Sequence, residues 1–311
     1  MTSTRVITFV VLAAVSLCHS ADAPASQASP DVLILDLDAG GKRHTLYEPI
    51  ELTYRVTNPT QSDVRTYLQF SGNRIRITIQ PEGGTAISYS GGLTRDVIGG
   101  WPEHVLHGAT RFEESERLYF NPIPRGLTFP RTGHYTIRAE LDAGNSEQAV
   151  VLHSEVNVKV TDPSTDDSAL INDLGSPDAL ISVLRDDASR YCADGGKPDC
   201  LDRLLHVARA HPDSAYSPFI LMEVIGARSW MNQLEQPNFP LELGLFQEFL
   251  DRYPKHPVAW RAEATLPSLL HKMGKNQEAV DAVHRFEKAH PDRRNFIHHL
   301  HESILREAVE N

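Results

Sequence analysis

Apolar residues in this chain recur at two different rhythms, and the change between them falls near residue 162. Ile50, Leu52, Tyr54 and Val56 alternate with Glu51, Thr53, Arg55 and Thr57. Ile75, Ile77 and Ile79 alternate with Arg74, Arg76, Thr78 and Gln80, and Tyr135, Ile137, Ala139 and Leu141 repeat the pattern, as do Val156, Val158 and Val160. A period of two puts one face of a strand in a core and the other in water, so these segments predict half-buried antiparallel strands. Turn residues punctuate them at Asn58-Pro59, Ser71-Gly72-Asn73, Gly83-Gly84, Gly91-Gly92 and Gly144-Asn145. About seven or eight strands over residues 31–161, with no helical stretch, predict a β-sandwich.

After the acidic linker at 162–167 the period becomes helical over 168–311. The stripes are Leu201, Leu204, Leu205 and Ala208, then Leu245, Phe246, Phe249 and Leu250. Leu266, Leu269, Leu270 and Met273 pair with Ala279, Val280, Val283 and Phe286, and Ile297, Leu300, Ile304 and Leu305 close the series. Three helices end alike, at Ala210-His211-Pro212-Asp213, Arg252-Tyr253-Pro254-Lys255 and Ala289-His290-Pro291-Asp292. Their prolines lie 42 and 37 residues apart, a helix-turn-helix repeat spacing.

Two stretches carry family resemblances. Tyr47-Glu48-Pro49-Ile50-Glu51-Leu52-Thr53-Tyr54-Arg55-Val56-Thr57-Asn58 resembles a strand of exported bacterial immunoglobulin-like domains, and Leu127 to Ile137 resembles their F-x-x-x-G-x-Y-x-I entry into a late strand. That likeness implies a sandwich in which Tyr135 turns its hydroxyl back to a corner. Lys255 to Pro291 resembles a tetratricopeptide repeat, with Leu266, Gly274, Ala279 and Pro291 at the family's positions. It departs from the pattern at Pro267, Glu263 and Phe286, and the upstream units are more degenerate. The fold class expected is therefore multidomain, an immunoglobulin-like antiparallel β-sandwich followed by an α-helical, tetratricopeptide-like repeat domain. The resemblance implies a curved helical surface that holds peptides or proteins, and no chemistry.

The amino terminus adds a location. Arg5 precedes an almost uncharged apolar run, Val6 to Cys18, that ends near Ser20, Ala21 and Ala23. Residues 1–23 read as a secretory signal and 24–30 as a flexible leader. A lipoprotein signal would place a small residue before Cys18, and Leu17 stands there, which favours soluble periplasmic or secreted export. No other segment is apolar enough to cross a bilayer. Removal of Cys18 leaves Cys192 and Cys200, an even pair flanking a Gly-Gly/Pro loop, read as a disulfide. No N-x-[ST] acceptor exists, since Asn58 is followed by proline.

Charge and motifs narrow the function. The formal net charge is −11, and an acidic surface of that size repels nucleic-acid phosphate. Asp162 to Asp202 holds ten carboxylates against Arg185, Arg190 and Lys197, without the D-x-[DN]-x-[DN]-G order of a calcium loop; Asp and Ser there suit helix caps. Val32 to Asp38 mimics the D-x-D strand of haloacid-dehalogenase phosphotransferases, but Gly40-Gly41 leads into another strand rather than a helix. The histidines of the second half, His206, His211, His256, His271, His284, His290, His298, His299 and His301, lack H-E-x-x-H spacing and read as surface or capping residues. Neither a metal nor a cofactor is implied.

The irregular stretch 91–126 carries Trp101, His104, His107, Tyr119 and Phe120, which either close the core or bind a partner. Trp101, His104, Tyr119, Trp230 and Trp260 are the candidate partner-binding residues. The expected function is an exported, non-catalytic envelope protein that engages a protein or peptide. The alternatives are an exported hydrolase with a dispersed, zinc-dependent site, and a proteinase inhibitor acting through the sandwich.

Overall fold

The computed structural model describes residues 29–66, 75–90, 104–122, 125–144, 149–186, 188, 191–192, 199–234, 238–293 and 301–306. The signal segment, Trp101 and the His298-His299 pair lie outside the described residues.

Strands occupy the first half. A three-stranded sheet has the order β1-β3-β8, with β1 Ile34–Asp38, β3 Ile50–Thr57 and β8 Arg111–Leu118. A five-stranded sheet has the order β2-β12-β11-β5-β6, with β2 Arg43–Thr45, β5 Ile75–Pro81, β6 Ile87–Tyr89, β11 Gly133–Asp142 and β12 Val151–Thr161. Their inner faces meet in one apolar core. Leu35, Ile50, Leu52, Tyr54, Val56 and Leu118 come from the first sheet, and Ile75, Ile77, Ile79, Tyr135, Ile137, Leu141, Val158 and Val160 from the second. The residues read as alternating are thus the inward ones. One ladder departs from the all-antiparallel expectation, because β2 pairs parallel with β12, Lys159 opposite Arg43 and Thr161 opposite Thr45. Two short ribbons, β4 (Val64–Thr66) with β7 (His104–Leu106) and β9 (Phe120–Pro122) with β10 (Arg125–Leu127), raise the strand number above that read from periodicity.

Turn chemistry holds the strands in register. The Tyr135 hydroxyl donates to the Arg131 carbonyl at 2.7 Å, the corner expected of it, and its ring packs edge-on against Phe129. Asn58 is fully buried; its amide donates to the Ser62 and Leu106 carbonyls and its oxygen accepts from Thr60, fastening the β4–β7 ribbon to β3. β1 is an antiparallel sandwich strand and not a phosphotransferase strand: Asp38 accepts from the Gly40 amide and pairs with Arg55.

Helices follow from Thr165: α1 Thr165–Leu174, α2 Pro177–Asp186, α3 Cys200–Ala210, α4 Ser217–Leu234, α5 Phe239–Arg252, α6 Ala259–Lys272 and α7 Asn276–Ala289, with further helix at 301–306. The acidic linker starts α1 through a capping box, in which Ser164 and Asp167 exchange hydrogen bonds with each other's backbone. Leu201, Leu204, Leu205 and Ala208 are buried with Leu245, Phe246, Phe249 and Leu269 in one core. Cys192 and Cys200 form a disulfide.

The three proline turns share one geometry. His211, Tyr253 and His290 cap α3, α5 and α7 with φ/ψ of −123°/63°, −127°/46° and −129°/61°. Each amide donates to the carbonyl four residues back, and each carbonyl accepts from the residue three ahead, Ser214, His256 or Arg293. The repetition read from the prolines is therefore a repetition of backbone conformation. The departures from the repeat pattern also have partners here: Glu263 meets His290 Nε2 at 2.5 Å, and Phe286 fills a small cluster with Trp260 and Ala264.

Candidate functional site at the seam between sheets and helices

β3 and β8 place Glu51 opposite Arg117, Thr53 opposite Ser115 and Arg55 opposite Glu113 on their outer face. Each pair is closed by a hydrogen bond, of 2.9, 2.9 and 2.6 Å respectively. The alternation predicted this face to meet water. Instead the helical half covers it, and Glu51 and Glu113 are only 3% and 8% exposed.

Helix residues complete the ladder. Arg117 Nη1 reaches Glu223 of α4 at 2.5 Å, and Arg261 of α6 reaches Glu51 Oε2 at 2.9 Å. Arg293, in the turn after α7, donates to Glu113 at 2.5 Å and to Ser115 at 3.1 Å, while Arg55 also meets Asp38 at 3.2 Å. The ion pairs form two clusters, Glu51 with Arg117, Arg261 and Glu223, and Glu113 with Arg55, Arg293 and Asp38, so that Glu51 and Glu113 each hold two arginines. Such saturation is what makes buried charge tolerable. Burial alone would lower the pKa of Arg117; Glu51 and Glu223 outweigh it and hold the guanidinium more firmly charged than usual.

Two groups beside the ladder respond to the same burial in opposite senses. His256, in the turn before α6, packs its ring edge-on against Phe219 and accepts the Val258 amide on Nδ1, so it is neutral in this arrangement. Burial pushes its pKa down to about 4, against the pull of Glu51. Glu116 stands opposite Leu52 on the β3–β8 ladder, on the other face of β8 from Arg117. Burial pushes its carboxyl up to about 7, with Arg261 opposing and Glu51 and Glu114 adding to the rise.

An apolar stretch flanks the ionic one. Tyr119 is buried in the helical core, with Tyr47, Phe120 and Leu127 packed against it, and Arg185 of α2 lies over the Phe120 ring at 5.1 Å. The Tyr216 hydroxyl donates to the Leu46 carbonyl at 2.5 Å. At Gly40, with φ of +72°, a β-carbon would stand 2.9 Å from Pro257 Cγ. Glycine is required there twice over, by conformation and by contact.

The candidate residues separate accordingly. Tyr119 sits inside the seam. Trp260 is 8% exposed and lies beneath Arg293 at 4.2 Å and Arg261 at 5.4 Å. The structure brings both to the boundary between the halves, where they meet other residues of this chain. His104 begins β7 and Trp230 lies in α4, and the side chains of both are outside the described residues. The ladder itself escaped sequence reading, although the reversed charges at Glu51/Arg117 and Arg55/Glu113 are the signal that a strand pairing would have exposed. Among the described residues, no group of three or more His, Cys, Asp or Glu side chains is placed to hold a metal ion. A cavity of about 310 Å³ opens at the Tyr135 corner, lined by Pro81, Glu82, Arg131, Thr132, Gly133 and His134. No described helix is long and apolar enough to cross a membrane.

No family model matches the chain, and no curated protein does. Among solved structures, a mutant β-glucosidase from Listeria innocua in complex with laminaribiose is 11% identical over 42% of this chain, with a TM-score of 0.24; the chain covers 16% of its length. The bacterial hydrophobin BslA is 18% identical over 46% of this chain and all of its own, with a TM-score of 0.22. The native alpha-2-macroglobulin of Escherichia coli, in its C-terminal part, is 10% identical over 82% of this chain and 55% of that one, with a TM-score of 0.25. These likenesses are distant, and they assign the chain to no family.

Proposed function

We propose that this chain is an exported, non-catalytic scaffold or binding protein of the cell envelope, which engages a protein or peptide partner. The observation that carries the reading is the seam. Two helices, α4 and α6, direct Glu223 and Arg261 onto the chain's own sheet. In the tetratricopeptide-like reading, this is the surface that would otherwise hold a peptide. Its occupation from within makes sandwich and helices one unit, so a partner is met on a surface other than the seam. The disulfide between Cys192 and Cys200 supports an oxidising compartment.

Cell fractionation with thiol-trapping tests the location; cytosolic protein with both thiols free would overturn it. For the function, the full mature chain is immobilised and incubated with envelope extract. A partner that binds saturably when both components are purified is expected, and the absence of any specific partner would count against the proposal.

A further inference from the structure

His211 closes α3 with its ring held between two carboxylates of α1. Nδ1 lies 3.3 Å from Asp166 Oδ1 and Nε2 2.8 Å from Asp173 Oδ2. The His211 side chain is 13% exposed, while those of Asp166 and Asp173 are 39% and 58% exposed, so the ring is sheltered and its two partners reach it from the solvent side. A neutral imidazole has one N–H and can donate to one of these oxygens; the imidazolium donates to both. His290, at the same place two repeats later, meets the single carboxylate Glu263, which one N–H satisfies.

We propose that His211 is a proton-operated staple, closed as the imidazolium and half-open as the neutral ring, which fastens α1 to the turn between α3 and α4. The groups around it leave that role to the two aspartates. From α1, Asp167 is committed elsewhere, accepting from Ser164, Ser214 and the Ala215 amide. From α3, Arg203 donates to the Asp173 carbonyl at 3.0 Å and adds positive charge beside the staple. Asp213 lies exposed in the turn. The Asp173 hydrogen bond raises the pKa of His211, burial opposes it, and Asp166 adds to the rise.

The sign follows from linkage. A raised value in the folded chain means that the staple contributes fully below the ordinary histidine pKa of about 6.5 and is lost as pH climbs through the folded value. α1 is the first helix after β12, so its release would loosen the helical array where it joins the sandwich.

The test is an imidazole NMR titration of the full chain, with amide exchange of α1 followed between about pH 6 and 8.5. The wild-type His211 midpoint is expected above 6.5. Exchange in α1, corrected for its intrinsic pH dependence, should accelerate about tenfold for each pH unit by which that midpoint is displaced. His211→Gln should give fast exchange in α1 that does not change with the histidine titration. Asp173→Asn keeps the histidine, removes one of the two negative charges facing it and should lower its midpoint, which covers the case in which the glutamine variant does not fold. A midpoint at or below 6.5, or α1 exchange indifferent to pH in the wild type, would overturn the proposal.

Discussion

Gly40 shows how much one position can hold. Its φ of +72° and the 2.9 Å approach of Pro257 to any added β-carbon would both be violated by alanine. Gly40→Ala should therefore lower stability by about 1–3 kcal/mol in urea unfolding. A double-mutant cycle with Pro257→Ala should recover the steric share and leave the conformational one. The glycine pair was legible as a turn, but the contact was not, because Pro257 lies in the other half of the chain. Tyr135 is the opposite case, since its hydroxyl returns to a carbonyl four residues back and the whole device sits within a local stretch.

His256 and Glu116 set opposing slopes on stability in the same pH range. His256, with its folded value near 4 against an ordinary 6.5, binds a proton more readily when unfolded, so its contribution grows as pH rises through that interval. Glu116, near 7 against an ordinary 4.5, binds a proton more readily when folded, so its contribution shrinks as pH rises from about 4.5 to 7. Urea denaturation across this range should show stability falling with pH in His256→Gln, where the carboxyl remains and His211 acts in the same direction. It should show stability rising with pH in Glu116→Gln. Equal slopes in the two variants would refute the assignment.

At the scale of elements, the ladder between β3 and β8 carries the firmest expectation. Arg117→Leu removes the cation shared by Glu51 and Glu223 and should cost about 3–5 kcal/mol, measured as a shift of the urea midpoint. Glu51→Gln with Arg117→Gln together should cost less than the sum of the two single changes, since both single changes break the same Glu51–Arg117 pair. Period two identified β3 and its inner face, whereas β8 fell in the stretch read as irregular; helical period found the helices, and the prolines their shared turn. Neither period could find the ladder. An outer face of Glu, Thr and Arg reads the same whether it meets water or a charge-matched surface, and the match exists only once β8 is set against β3 in register.

At the scale of the molecule, the seam predicts unfolding as one unit. Calorimetry and tryptophan fluorescence, to which Trp260 beneath its two arginines contributes, should report a single coincident transition for sandwich and helices. Two separated transitions would show that the halves are energetically independent. High salt should move this transition little, because the ladder is buried and weakly screened. The shift in rhythm near residue 162 revealed two kinds of structure, and nothing in it revealed that they share a boundary.

The parallel pairing of β2 with β12 has a mechanical consequence. Lys159 donates its amide to the Lys42 carbonyl, the Leu46 amide donates to Thr161, and the Thr161 hydroxyl donates to His44. Tension drawing the amino end backward and the helical end forward would slide these strands along each other, loading the three bonds together instead of peeling them singly. Pulled from its two ends, the sandwich should resist longest at this clamp after the helices have run out, and single-molecule extension of a Thr161→Val chain should rupture at lower force.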